Sequence, residues 1–149
     1  EGAGIRAATM NGSYVPNKSF LGTISYVTGD TERFTSTYDA DSEVATNLTQ
    51  VTGTYTGLGT DNHMVTVTVD AAGTLSGHLS DGCTFAGTLS PRPKGNVFQI
   101  SMTFGGGPCR NVTETVTGVA LYNAASNRLY SAGLNKARTT SFLFLGTKR

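Results

Sequence analysis

The sequence has no long run rich in Ala, Leu, Glu and Lys of the kind that builds helices. Charged residues make up only 14% of its 149 residues and apolar residues only 38%, both low. No apolar stretch approaches the roughly 20 residues of a membrane helix. The formal net charge is +1, too small to argue for nucleic acid as a partner. Only two cysteines occur, Cys83 and Cys109. Neither lies in a CxxC pair or has a histidine within a few residues, which argues against zinc. Cys83 has no close basic neighbour and Cys109 has only Arg110, weak support for a reactive thiol. A disulfide is the better reading, and it implies an oxidising compartment: periplasm, cell surface or exterior. The first residue is Glu and no signal peptide is present, so a mature or trimmed chain is expected. EGAGIRAATM is read as partly vector-derived and given no structural weight.

What fills the deficit is 24 Thr and 19 Gly. Threonine is β-branched and suits a pleated, half-wet surface, so the expected class is all-β. The length suggests one domain with an appendage, long enough to bury a real core. Residues 1–50 hold six acids and three bases, net −3; residues 51–149 hold four acids and eight bases, net +4. The periodicity changes at the same place. Residues 1–50 are therefore read as a leader or appendage and 51–149 as the principal domain.

Eight strands are predicted there, at 51–57, 63–70, 74–80, 83–90, 96–104, 114–122, 128–134 and 141–147. One hairpin can be registered from sequence. HMVTVTV, then Asp70-Ala71-Ala72-Gly73, then TLSGHLS places Gly73 at a left-handed turn position. Val69 then faces Leu75, Val67 faces Gly77 and Val65 faces Leu79, with Thr66, Thr68, Ser76 and His78 on the other face. A slip of one residue would destroy that agreement. Phe85, Gly87 and Leu89 share a face, matched across SPRPKGN by Phe98, Ile100, Met102 and Phe104. Pairing Leu89 with Phe98 would set Cys83 opposite Phe104, leaving five residues to fold back to Cys109. The outward Thr/Ser set there is wet, unlike the outside of a lipid-facing barrel.

Eight short sequential strands must bury one face without leaving sticky edges. The expected architecture is an eight-stranded antiparallel up-and-down β-barrel, with a two-sheet sandwich as the rival. The large inward residues favour a filled core, while inward Gly53, Gly77 and Gly87 are expected to leave space for a small ligand if any space exists. In the leader, SFLGTISYVTGDTERFTSTY suits a hairpin around Thr28–Thr31. DSEVATNL suits one short helix with Asp41 or Ser42 as N-cap and Val44 and Leu48 one turn apart; a flexible leader is the other option.

Few constellations carry chemistry. His63 and Asp81 fall opposite each other with Ser80 adjacent, but Ser80 alternates to the other face and no GxSxG elbow precedes a helix. The favoured reading is a salt-linked strand end. His63, His78, Asp61 and Asp81 diverge and lack metal-ligand spacing. GGGPC has the glycines of a phosphate loop without its Lys-Ser/Thr or helix; a sharp turn returning Cys109 to Cys83 is the better account. No catalytic, metal or cofactor residue is assigned. In a meander, alternate loops share an end, so Arg92, Lys94, Arg128, Lys148 and Arg149 gather at one rim against Asp70 alone. Arg92, Lys94 and Arg128 are the candidates for an anionic partner, weighed against plain solvated loop charge. Asn11, Asn17, Asn47 and Asn111 begin N-x-S/T sequons, as chance supplies in a Thr-rich chain.

GCTFAGTLSPR, NVFQISMTFGGGPC, TGVALY and SFLFLGT, taken in order, resemble a largely uncharacterised group of small exported proteins and lipoproteins of Gram-negative bacteria. The resemblance covers about residues 51–149. It implies an envelope location, a β-rich fold and an N-terminal lipid anchor on a leader, the lipidated cysteine being absent from this sequence. It lends no catalytic residues.

The first functional expectation is a non-enzymatic, monomeric envelope module, periplasmic or at the cell surface, for binding or structural support. Its partner would be an anionic envelope component or another protein. The alternatives are a calycin-like carrier of a small apolar ligand and an inhibitor of an extracellular enzyme that inserts the loop Ser90–Asn96 into a cleft.

Overall fold

The alternation of valine and threonine in MVTVTV lets one face go dry and the other stay wet, and that alternation builds the molecule. A computed structural model describes residues 6–149. Residues 1–5, the start of the segment given no weight above, lie outside the described residues, as does the side chain of Asp61. Three strands come first: β1 (Ala8–Val15), β2 (Ser19–Tyr26) and β3 (Thr31–Thr37). A 3₁₀ turn (Ala40–Glu43) and a short helix, α1 (Leu48–Val51), lead into β4 (Gly53–Gly59). After a second 3₁₀ turn come β5 (Met64–Val69), β6 (Thr74–Leu79), β7 (Thr84–Pro91) and β8 (Phe98–Phe104). The chain ends with β9 (Thr115–Asn123), β10 (Arg128–Asn135) and β11 (Ser141–Lys148).

β4 to β11 close into an antiparallel barrel in sequence order, sealed where β11 pairs with β4 through Leu145 and Leu58. Closure removes both edges, the physical reason expected for eight short sequential strands. The β5–β6 register is the one read from sequence: Val69 opposite Leu75, Val67 opposite Gly77, Val65 opposite Leu79. Asp70 secures that turn. Its Oδ1 accepts from the amides of Ala72 (2.9 Å) and Thr74 (2.8 Å), and the Thr74 amide above all holds its carboxyl below the ordinary carboxylate range.

One register differs. Leu89 pairs with Ile100, not Phe98, and Phe85 pairs with Phe104 where Cys83 was expected. β7 runs on to Pro91, and the Arg92 amide bonds the Val97 carbonyl at 3.0 Å, which shortens the loop. The shift is two residues, so every side chain keeps its face. Alternation therefore could not tell the two registers apart.

The leader holds more strand than expected. The hairpin around Thr28–Thr31 forms, with Ser25 opposite Thr31 and the Tyr26 amide bonded to the Asp30 carbonyl. β1 adds a third strand to it, from Ala8 to Val15, including part of the segment given no weight. The helix is placed differently. Asp39 caps the 3₁₀ turn by accepting from the Asp41 amide at 3.0 Å, and Asn47 caps α1 by accepting from Gln50 at 3.1 Å. Val44 between them is extended, so Val44 and Leu48 share no helix. Val51 ends α1 instead of starting a strand. It is fully buried and Leu48 packs against the same core, so α1 plugs one end of the barrel. The leader is thus sheet, 3₁₀ turn and helix.

Candidate functional site

Inside the barrel, the space is taken by the chain's own side chains. Tyr55, Phe98, Phe144, Leu89, Ile100, Met102 and Leu129 are all fully buried there. The inward glycines do not open room for a ligand. A Cβ built at Gly77 would lie 2.4 Å from Phe85 Cζ, because the Phe85 ring, paired across the strand, covers that glycine. The Met102 backbone and Cβ sit against Gly87, and the Lys148 stem lies over Gly53. Tyr55 donates from its hydroxyl to the Val51 carbonyl at 2.7 Å, tying the core to the plug. Desolvation first, then the neighbouring Tyr122, raises the Tyr55 pKa well above the ordinary phenol value.

At the other end, Cys83 and Cys109 form a disulfide with Cα atoms 4.6 Å apart. Both half-cystines are buried and belong to the core. Beside them Phe85, Phe104 and Phe142 make a three-ring cluster with centroids 5.5 to 6.1 Å apart. The GGGPC glycines make the reversal: Gly106 and Gly107 have φ of +76° and +60°, and the Cys109 amide bonds the Gly106 carbonyl. The disulfide ties the start of β7 to the β8–β9 loop.

His63 and Asp81 do flank the same strand ends, since the Ser80 amide bonds the Met64 carbonyl. No ion pair joins them among the described residues. The Asp81 carboxylate is spent on its own turn, accepting from the Cys83 amide at 2.9 Å. The salt-linked strand end expected there is therefore an Asx turn beside the disulfide. His78 lies on the outer face opposite Thr66 and Thr84, away from that corner.

Arg92, Lys94 and Arg128 are exposed at one barrel end, as the meander requires. Asp70 is not their only counterweight. The 3₁₀ turn carrying Asp41 and Glu43, capped by Asp39, is fastened to the Arg92–Lys94 loop: the Asn96 amide bonds the Ser42 carbonyl at 2.9 Å. Lys148 is already engaged, donating to the Gln50 carbonyl at 3.2 Å and lying over the Tyr122 ring at 5.6 Å. The loop proposed for insertion into an enzyme is thus held against the chain's own leader.

The most distinctive surface is one the sequence reading passed over. Apart from Met64 and Ala86, the outer face of β5 to β8 is threonine, serine, His78 and Gln99, as expected. On β9, β10 and β11 the middle of the outer face is apolar and runs onto Leu58 of β4 and Met64 of β5, while Thr54, Thr56, Thr115, Thr117 and Thr147 around it stay polar. The register aligns Leu121, Tyr130, Leu145, Leu58 and Met64 in one row across five strands. Val119, Ala132 and Leu143 form the next row, with Leu134 beyond. Leu143 is 58% exposed. Between the Val119–Ala132–Leu143 row and Thr117, Leu134 and Ser141, an open concavity of about 500 Å³ is floored by Gly118, Gly133 and Phe142. A membrane barrel carries an apolar belt all the way round; here it is confined to one side. The signal was present in GVALY and SFLFLG, where apolar residues occupy both parities of the strand.

No family model matches this chain, and no curated protein or solved structure matches it either.

Proposed function

We propose that this protein is a non-enzymatic module of the bacterial cell envelope, exported to the periplasm or cell surface, where a rigid barrel serves binding or structural support. The observation that carries this reading is a barrel interior filled by its own side chains and stapled at one end by a buried disulfide. A filled interior suits a scaffold that acts through its outside, and a buried disulfide suits an oxidising compartment. The resemblance of residues 51–149 to exported proteins and lipoproteins of Gram-negative bacteria supports the same location. The exposed Arg92, Lys94 and Arg128 remain the surface offered to an anionic envelope component.

The test has two arms. Fatty acids and hydrophobic dyes are titrated against the purified protein while its Tm is followed, and protease accessibility is measured on intact cells of the source organism. The expected result is an unchanged Tm and a chain outside the cytoplasm. A rise in Tm that saturates with one equivalent of an apolar ligand would establish the carrier reading instead, and a cytoplasmic chain with reduced cysteines would remove the envelope.

A further inference from the structure

All ten acids of this chain lie in residues 1–114. Residues 115–149 make β9, β10, β11, the two loops joining them and the final Arg149. They hold five bases and no acid: Arg128, Lys136, Arg138, Lys148 and Arg149. The apolar rows described above lie on the outside of the same three strands, where Val119, Leu121, Tyr130, Leu134, Leu143 and Leu145 stay 37 to 58% exposed. The cations sit at the strand ends. Arg128 opens β10 and Arg149 follows β11 at one end, while Lys136 and Arg138 occupy the β10–β11 loop at the other; all four are exposed. Lys148 is engaged with the Gln50 carbonyl and the Tyr122 ring. Few acids border this face. β4 and β5 carry none. Glu114 precedes β9, its carboxylate accepting from Asn135 and Thr140, and Asp61 and Asp70 lie in the turns on either side of β5. Counting those three acids against the five bases leaves net +2. Asp39, Asp41 and Glu43 stand beside the Arg92–Lys94 loop between β7 and β8.

We propose that this face docks on the surface of an anionic phospholipid bilayer. The barrel lies on its side, with its aliphatic rows in the headgroup boundary and its strand-end cations against lipid phosphates. Charge complementarity selects this partner. Three strands without a carboxylate, with cations at both ends of an apolar patch, match a surface that is negative above and apolar beneath. The side chains agree. Leu and Val dominate the face and Tyr130 is its one aromatic, a residue at home at the headgroup level. Protein interfaces take their strongest anchors from Trp, Tyr and Arg, with Leu and Val under-represented. Thr115, Thr117 and Thr147, bordering the rows, stay among the headgroups. The barrel does not span, because the outer face of β5 to β8 is wet. The inference goes beyond the function proposed above by naming a face and its partner. It needs no N-terminal anchor, and its failure leaves the exported-module reading standing.

The experiment is co-sedimentation of the full chain, in ~0.1 M salt, with vesicles of mixed phosphatidylglycerol and phosphatidylcholine and with vesicles of phosphatidylcholine alone. The chain should bind the anionic vesicles and prefer them to the neutral ones. Leu143→Thr with Leu145→Thr, neutral and compatible with a strand, should abolish binding while circular dichroism shows the barrel folded. Arg128→Gln with Lys136→Gln should weaken it about fivefold for each cation lost. Arg92→Gln with Lys94→Gln, the same charge change off the face, should leave it within about twofold of wild type. The chain has no Trp, so Tyr130→Trp and Thr88→Trp place single reporters on the docking face and on β7 across the barrel. On anionic vesicles the emission of the first should shift to the blue and that of the second should not. Wild type that stays in the supernatant overturns the proposal and leaves the face to a protein partner. Equal binding to both vesicles overturns it too, as does a folded Leu143→Thr, Leu145→Thr variant that still binds. An Arg92→Gln, Lys94→Gln variant that loses as much as the Arg128→Gln, Lys136→Gln one, or equal shifts from the two reporters, would place the contact elsewhere and overturn it as well.

Discussion

Gly118 and Gly133 face each other across β9 and β10, yet they are not equivalent. A Cβ at Gly118 would stand 1.9 Å from the Ala132 carbonyl oxygen and 2.6 Å from the Gly133 Cα, both backbone. At Gly133 the nearest atom is 3.1 Å away. Strands cannot part by that much without losing ladder bonds. Gly118→Ala should cost about 3 kcal/mol, at the upper end for overpacking, while Gly133→Ala should stay within about 1 kcal/mol of wild type. Urea denaturation of the two variants checks this, and equal costs would show that the strands adjust freely. Tyr55 offers a second test. Its phenol pKa is raised in the folded state, so the folded chain holds that proton more tightly than the unfolded one. The associated stability is fully present below the ordinary phenol pKa of about 10 and is lost as pH rises beyond it. Tyr55→Phe leaves the Val51 carbonyl without its buried partner, at a cost of about 1–2 kcal/mol at neutral pH. Stability measured at pH 7 and again above pH 10 should show the deficit of the variant shrinking. A deficit independent of pH would mean that Tyr55 is not held protonated by its burial.

At the scale of the element, the disulfide closes a loop with a sequence separation of 26 residues. Chain-entropy reasoning assigns that closure roughly 3.5 kcal/mol. Replacing Cys83 and Cys109 together with alanine should lower the unfolding free energy by about that amount, read from denaturant titrations, and reductant should reproduce the loss in the wild type alone. A loss under 1 kcal/mol would mean the loop is held by its backbone bonds and the Phe cluster without the link. β5 to β8 were legible because apolar–polar alternation has a period of two, and a buried face punishes any odd slip; β9 to β11, apolar on both parities, were read as strands from their β-branched and aromatic runs between turn residues. The β7–β8 register was not legible, because a slip of two keeps Leu89, Phe98 and Ile100 inside. Strand β1 was missed for another reason. Its residues are all exposed, so neither face of ATMNGSYV had to read as core. The caps moved because the extended Val44 breaks the segment in two, and each piece is capped by the residue before it, Asp39 on the Asp41 amide and Asn47 on the Gln50 amide.

For the whole molecule, closure and filling could be foreseen, since sequential strands and inward Phe and Met residues demand them. The two-faced outside could not be read as easily. Charge and threonine content average over the surface, while the apolar rows on β9 to β11 and β4 depend on which strands become neighbours when β11 closes on β4. Arg92, Lys94 and Arg128 share one barrel end, and the leader's return to that end, with its own carboxylates, is a tertiary fact with no local signature. A barrel closed by β11 on β4, filled from within and stapled by a disulfide is the basis of the proposal that function lies on the outer surface. A native mass spectrum of freshly purified, unreduced protein tests it most directly. The account predicts, for each chain present, the bare mass two hydrogens below the reduced value. Extra mass lost on denaturation would put a ligand inside, and a mass at the fully reduced value would remove the staple; either would contradict the account.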